Sequence, residues 1–548
     1  MAAPARPRRL LLVYPAFPKT HYGMQYLYPL GRMRAFMPPL GLLTIAALTP
    51  SDVEIRLVDV NCEPLEDDDI AWADLVCFSA MLTQRRSLFA LATRCRAQNK
   101  TIVFGGPYPT ACPEQCRPYC DVLVLNEGEV TWPRFLADLE RGTPQARYAS
   151  EEKPDVTRVP VPRFDLVDLS HYTMVPLQFS RGCPFQCEFC DIIVMFGRRP
   201  RTKTAEQFCR ELEAVRATGY RGLVFVVDDN FIGNEKEVRK LLPAMRAWNR
   251  AHGNPFLYCT EASVNLADDP SLVAEMVEAS FRRVFIGIET PSMEALQQTR
   301  KFQNTKRPLE RAVEAIQRGG LLVDAGFIVG FDSDGDDIFA RQEEFITRAA
   351  IPNAIVSVLT ALPGTPLYER MQRTGRLKAE KALDRDWCSA TNIVTRMPER
   401  RLLEGHRELL VRLNAPDAYF ARAIAQLCRL PRLGARAGLA ELLGVGWLVV
   451  KTLVTQRRAG RRAAAGPSPA AALVRRLRTE VPPEFRRAAA RFAWAVLRRR
   501  PYQLPRVAVF LFLGIHYYRF TFEDVIPELD RRLAELREPA ASADAAVG

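Results

Sequence analysis

Short apolar runs alternate with helix-patterned stretches twice along this chain, and a proline-bearing linker separates the two series. No other feature constrains the fold as strongly, because βαβ succession favours parallel sheets with helices packed on their faces. In the first series the candidate strands are Leu10–Tyr14, Val53–Val60, Asp74–Ser79, Thr101–Phe104 and Val122–Leu125, with helices over Leu40–Leu48, Ser87–Gln98 and Trp132–Glu140. Five such strands predict a doubly wound parallel sheet over residues 1–145. Ligands of these sheets lie beyond the C-terminal strand ends. Those ends carry Tyr14-Pro15, Ser79-Ala80-Met81, Gly105-Gly106-Pro107 and Asn126-Glu127-Gly128-Glu129. Pro154, Pro160 and Pro162 mark a linker over 146–172.

The second series places strands near Val175–Phe179, Leu223–Val227, Phe256–Cys259, Val284–Ile288, Val323–Val329 and Ile355–Leu359. Six strand–helix units over 173–375 predict a partial (β/α)6 barrel with its chemistry at the C-terminal strand ends. One barrel helix is punctuated by a Thr204/Gln207 capping box and a Gly219 stop. A helical extension over 376–428 and an arginine-rich region over 429–548 follow.

The chain has 548 residues, 48% hydrophobic and 25% charged, which describes a globular protein of two or three domains. The apolar run Leu10–Tyr14 after the basic Met1–Arg9 is too short for a signal-peptide core. Nothing before residue 430 approaches the roughly 20 apolar residues of a membrane span, so the expected address is cytoplasmic. The net charge of +13 is concentrated: Arg429–Arg506 holds 18 Lys or Arg against 3 Glu, leaving about −2 for the remainder. Thirteen cysteines in such a chain argue against a disulfide framework and for thiol, metal or cofactor work.

Ser180-Arg181-Gly182-Cys183-Pro184-Phe185-Gln186-Cys187-Glu188-Phe189-Cys190 has C-x3-C-x2-C spacing directly after the first barrel strand. Three thiolates on one tight loop suit three irons of a cubane, with the fourth iron open to a chelating ligand. The alternatives are a zinc site or three unrelated buried thiols. Zinc would want a fourth protein ligand, and no His or Cys follows within 18 residues. Cys112, Cys116 and Cys120 recur every fourth residue. They read either as a second cluster site or, since Pro118 breaks a helix, as small residues packed on the sheet.

With an aromatic, Phe189, before its last cysteine, the loop resembles the signature of the radical S-adenosylmethionine (SAM) superfamily. The resemblance implies a [4Fe–4S] cluster on Cys183, Cys187 and Cys190, and SAM cleavage to a 5′-deoxyadenosyl radical. It also implies SAM-cradling positions at Phe189, Asp229, Asn230, Glu261, Glu289, Phe327 and Val329. Taken singly these residues also read as helix caps or packing. The doubly wound sheet ahead of the barrel resembles the cobalamin-binding domain of class B radical SAM proteins. That likeness implies corrin-facing positions at Ser79, Gly105, Gly106, Pro107, Glu127 and Gly128. None of His21, His171, His252, His406 and His516 lies in D-x-H-x-x-G, so the corrin is expected without a histidine on cobalt. The other reading is a domain that has lost cobalamin and caps the barrel.

Arg198–Thr204, Val227–Asn234, Thr260–Ser263 and Ala325–Asp332 are similar to the branch containing the bacterial C-2 hopanoid methylase. The similarity implies cobalamin-dependent methyl transfer to an unactivated carbon of a lipid-like (hopanoid or isoprenoid) substrate, with a ferredoxin or flavodoxin as electron donor. The runner-up is radical carbon–carbon coupling, cyclisation or oxidation without methyl transfer, and a third reading is a cofactor sensor. In the basic region, Leu442–Val454 and Val507–Ile515 are apolar but shorter than a span. Peripheral contact with anionic lipid at the inner membrane face is the leading reading there; nucleic acid and a plain solvated extension are its rivals.

Overall fold

The computed structural model describes residues 8–31, 33–378, 390–432 and 469–536. The apolar stretch Leu442–Val454 and the break at Ala463–Pro469 fall outside them, apart from Pro469 itself, where a helix begins.

The first series folds as β1 (Arg9–Tyr14), β2 (Glu54–Asp59), β3 (Leu75–Ser79), β4 (Thr101–Gly105), β5 (Val122–Val124) and β6 (Arg147–Tyr148). All pairings are parallel, in the order β2-β1-β3-β4-β5-β6. Buried alternate residues on both faces explain the continuous apolar runs: Leu10 and Leu12 pack on one side, Leu11 and Val13 on the other. The sixth strand escapes the sequence pattern because two residues carry no period. The switch point of this order lies between β1 and β3.

The second series continues with β7 (Val175–Leu177), β8 (Ser180–Arg181), β9 (Arg201–Thr202), β10 (Gly222–Val226), β11 (Phe256–Ala262), β12 (Phe281–Glu289), β13 (Leu322–Val329) and β14 (Ala354–Val358). Six of these form an all-parallel sheet ordered β14-β13-β12-β11-β10-β7, the partial barrel expected. The antiparallel pair β8–β9 brackets the cysteine loop, matching Ser180 with Thr202 and Arg181 with Arg201. The Thr204 hydroxyl accepts from the Gln207 N–H, but only half of the capping box forms. The Gln207 amide instead donates to the Val156 and Val159 carbonyls (3.1 and 2.9 Å), tying the linker to the barrel.

Helix Pro416–Arg429 packs with Pro483–Arg499 and Leu504–Arg519, so helices on both sides of residue 428 share one apolar cluster, while Glu399–Asn414 packs into the main core with Ile526–Glu535. Val507, Phe510, Leu513 and Ile515 are buried in it with Tyr419, Phe420, Leu322 and Ile355. The apolar face of Val507–Ile515, expected to lie on a membrane, is therefore turned into the protein. Met24, Leu27 and Leu30 join the same cluster, and Asp524 accepts from Tyr26 Oη (2.5 Å). Among the described residues no helix is long and apolar enough to cross a membrane.

Candidate active site

The cysteine loop is held from below by two adjacent carboxylates at the end of β10. Asp228 accepts from the Phe179 and Ser180 N–H groups (2.7 and 2.8 Å) and from Ser180 Oγ (2.6 Å), and Asp229 accepts from the Gly182 N–H (3.1 Å). Gly182 has φ of 97°, and a Cβ there would stand 2.8 Å from the Gly197 carbonyl, so the turn into Cys183 requires glycine. Cys187 is buried, and Cys183 and Cys190 are half-buried. Burial pushes the Cys183 and Cys190 thiols up, and iron coordination is what would deprotonate them. Gln303 Nε2 lies 3.5 Å from Cys187 Sγ.

Among the described residues no three His, Cys, Asp or Glu side chains converge on one metal-ion position. A tetrahedral zinc site needs that convergence; a cubane does not, because each thiolate binds a different iron. A loop with three thiols, no fourth protein ligand and a cation beside it fits a cubane better than a single ion. That cation is Lys301, 5.8 Å from the Phe189 ring and paired with Glu289 Oε1 at 2.5 Å. Burial opposes its charge, but Glu289 and the Cys187 and Cys190 sulfurs outweigh burial and push the ammonium up.

Further strand ends add carboxylates. Burial raises Glu261 to about 7, with Asp229 and Glu289 adding to the rise, and raises Asp229 to about 6. The Glu261 carboxylate accepts no hydrogen bond from the described residues, so this carboxylate-rich strand end offers acceptors for hydroxyl or ammonium groups, as the cradle of a ribose or amino acid needs. Asn230 is otherwise engaged: its Oδ1 accepts from the Ser263 N–H and Oγ (3.1 and 3.2 Å). Phe327 and Val329, expected to line the cofactor, turn away from the cysteine loop. Their side chains are buried in the main core, Phe327 edge-on to Phe345 (5.9 Å) in the helix Ile338–Arg348. The pleat sends Gly326 and Ile328 the other way, and Ile328 packs with Phe189 and Phe331.

In the first sheet Ser79, Gly105 and Val124 are in register on β3, β4 and β5, so their following residues form one continuous lip. Gly105, Gly106 and Pro107 present backbone there, and a Cβ on Gly106 would meet Ser79 Oγ at 2.3 Å. Met81, 47% exposed, stands on the same lip. Such a bare edge with an apolar thioether fits a flat macrocycle held without a histidine on its metal. Glu127, expected to face a corrin, has its carboxylate engaged by arginines: it accepts from Arg181 Nη1 (2.8 Å) and from Arg201 Nη1 and Nη2 (3.0 and 2.8 Å). Glu129 accepts from Arg181 Nη2 (2.6 Å). The edge of the first sheet thereby meets the cysteine loop. Sequence reasoning missed Arg181, Arg201 and Lys301. Arg181 was visible beside the motif, but its partners are more than 50 residues away in the chain.

Cys112 and Cys116 are buried, and Cys120 half-buried, among Ile102, Phe104 and Leu88. The chain forms a short helix Pro113–Cys116 and then a 3-10 turn, so the three do not share one helix. This is the packing arrangement.

The chain matches the family described as "Radical SAM superfamily" over residues 177–344, "B12 binding domain" over 30–136, and a domain of unknown function, DUF4070, over 365–526. It is 41% identical over 76% of its length to an uncharacterized methyltransferase of Synechocystis sp., covering 77% of that protein. It is 36% identical over 76% of its length to the hopanoid C-2 methylase of Rhodopseudomonas palustris, covering 78% of it. Its fold is similar to that of the cobalamin-dependent SAM radical enzyme OxsB with aqua-cobalamin and SAM bound. There the TM-score is 0.59 at 15% identity, over 93% of this chain and 84% of that one. The radical SAM methyltransferase TsrM of Kitasatospora setae, with cobalamin and a [4Fe–4S] cluster, gives a TM-score of 0.54 at 15% identity over 67% and 75%.

Proposed function

The chain belongs to the cobalamin-dependent radical SAM methyltransferase family, and from that premise we propose that it methylates an unactivated carbon of a hopanoid- or isoprenoid-like lipid. The family's cofactors are a [4Fe–4S] cluster, SAM and cobalamin. When bound, the cluster and SAM supply a carbon-centred radical and the corrin supplies the methyl group. Cys183, Cys187 and Cys190 hold the cluster. Asp229, Glu261 and the Glu289–Lys301 pair would receive the hydroxyl, ammonium and carboxylate groups of SAM, with Phe189 and Asn230 bordering them. Ser79, Gly105, Gly106, Pro107 and Gly128 border the corrin. A ferredoxin or flavodoxin delivers the electron.

One observation carries this reading: a three-thiol loop lies against the strand-end lip of a separate doubly wound sheet, so two cofactors share one site. The lipid substrate rests on the kinship with the hopanoid C-2 methylase. Peripheral membrane contact is supported by Trp494, Leu497 and Leu504, 65%, 44% and 39% exposed, beside the exposed Arg491, Arg498 and Arg499. Apolar side chains interleaved with arginines suit an anionic lipid surface.

The test uses anaerobically reconstituted full-length protein, a flavodoxin reducing system, SAM and hopanoid-loaded vesicles. Wild type is expected to form 5′-deoxyadenosine, S-adenosylhomocysteine and a hopanoid one carbon heavier. Replacing Cys183, Cys187 and Cys190 with Ala is expected to abolish all three and the bound sulfide. Formation of 5′-deoxyadenosine without S-adenosylhomocysteine would replace methyl transfer with coupling or oxidation chemistry.

A further inference from the structure

The contact between the first sheet and the cysteine loop is built unlike the other contacts around it. Glu127 and Glu129 flank Gly128 just after β5, at the lip assigned above to the corrin. Arg181 and Arg201 face one another across the β8–β9 pair that carries the cysteine loop. Side-chain exposures are 2% and 11% for the two glutamates and 13% and 15% for the two arginines, so four charges are withdrawn from water together. Arg181 bridges both carboxylates while its Nε donates to Gln178 (2.7 Å). Arg201 grips Glu127 with both terminal nitrogens and also donates to the Pro154 and Phe196 carbonyls (2.8 and 3.2 Å). Lys153 lies 3.9 Å from Glu127 and donates to the Met195 carbonyl (2.5 Å), on the chain that follows the cysteines.

Other contacts of the first sheet reach the linker instead: Tyr172 Oη donates to Asp59 (3.0 Å), and the Arg163 N–H donates to the Leu43 carbonyl (3.1 Å). A buried ionic network is a weak source of net stability, because desolvation offsets most of the attraction; its attested use is to specify one geometry over its neighbours. Two guanidinium forks shared among three carboxylate oxygens of two residues separated by one glycine permit very few relative placements.

We propose that the Glu127–Arg181–Glu129–Arg201 knot is a positioning device that sets the distance and orientation of the corrin-bearing lip relative to the cluster-bearing loop. It rests on the cofactor assignment above. SAM cleavage needs the cluster side alone, whereas loss of the SAM methyl group to the corrin needs both sides in register. A displacement of about 1 Å can cost roughly 100-fold in such a transfer. Arg181, Arg201, Glu127 and Glu129 are thus positioning residues.

The experiment compares full-length holoenzyme of wild type, Arg181→Gln, Arg181→Lys and Glu129→Gln. Iron, sulfide and cobalamin per chain are measured first. Pulsed electron paramagnetic resonance then reads the dipolar coupling between the reduced cluster and cob(II)alamin, and single-turnover incubation with SAM reads S-adenosylhomocysteine against 5′-deoxyadenosine. Arg181→Gln is expected to keep both cofactors, to broaden the dipolar distribution, and to lower the S-adenosylhomocysteine yield roughly 10- to 100-fold with 5′-deoxyadenosine undiminished. Arg181→Lys, which retains charge but reaches only one carboxylate, should fall between. Glu129→Gln, which keeps an acceptor for Arg181 but removes one charge of the knot, carries the same expectation in smaller measure where Arg181→Gln fails to load. An unchanged distribution and product ratio in cofactor-loaded variants overturns this proposal alone. Wild type that takes up no cobalamin or no cluster overturns the functional reading beneath it.

Discussion

Asp228 shows how a single carboxylate prepares the site without entering it. It is 1% exposed and receives three donors from Phe179 and Ser180; burial nonetheless raises it to about 7. Its role is to fix the strand from which the cysteine loop springs. Asp228→Asn would aim an amide NH2 at groups that are themselves donors, leaving at least one buried N–H or O–H unmatched. The expected cost is about 1–3 kcal/mol, read as a lower urea midpoint with unchanged slope. A variant as stable as wild type would remove Asp228 from this account. The Phe327 and Val329 positions teach the complementary point: on a strand, adjacent residues face opposite ways, so a motif locates a strand without saying which of its side chains turn into the core.

Among the elements, the helix Pro366–Arg373 acts as a brace. Arg370 donates to both Glu188 oxygens (2.5 and 3.1 Å), within the cysteine loop, and to Asp332 Oδ2 (2.8 Å), just beyond β13. Arg376 adds two bonds to Asp332 (3.0 and 2.6 Å). Burial alone would raise Asp332, but Arg376 and Arg370 outweigh it and hold the carboxyl near 2. A depressed carboxylate stabilises the fold fully above its unfolded value of about 3.9, and the benefit disappears as pH falls through about 2. At pH 7 Asp332→Asn should therefore lose about 2 kcal/mol. Urea titrations at descending pH should show the gap from wild type closing below about pH 4; a gap independent of pH would place the effect in packing.

For the molecule as a whole, the C-terminal helices are part of the core rather than an appendage. Phe485, Phe492, Phe510 and Tyr517 bury themselves against Tyr419, Phe420 and the residues around Met24. His516 Nε2 lies 3.0 Å from the His21 carbonyl, and Arg407 Nε donates to Asp530 (2.5 Å). Removing residues 469–548 would expose those apolar side chains at once. The truncated protein should aggregate or bind a hydrophobic dye strongly, whereas Trp494→Ala, at an exposed position, should leave the melting temperature within about 2 °C of wild type. A monomeric truncation with an unaltered melt would make this layer dispensable.

What the residues determined unaided was local and periodic: both parallel sheets apart from the two-residue strands, the order in which their strands appear, the cysteine loop and its place at a strand end. Those features follow from apolar runs, turn glycines and ligand spacing, all of which act over a few neighbouring positions. Tertiary structure alone decided which way each side chain of β13 turns, that Glu127 pairs with Arg181 and Arg201, and that the helices of the arginine-rich end fold inward over an apolar layer. Each of those depends on partners tens or hundreds of residues distant, where burial and charge compensation act through space and leave no periodic trace in the chain.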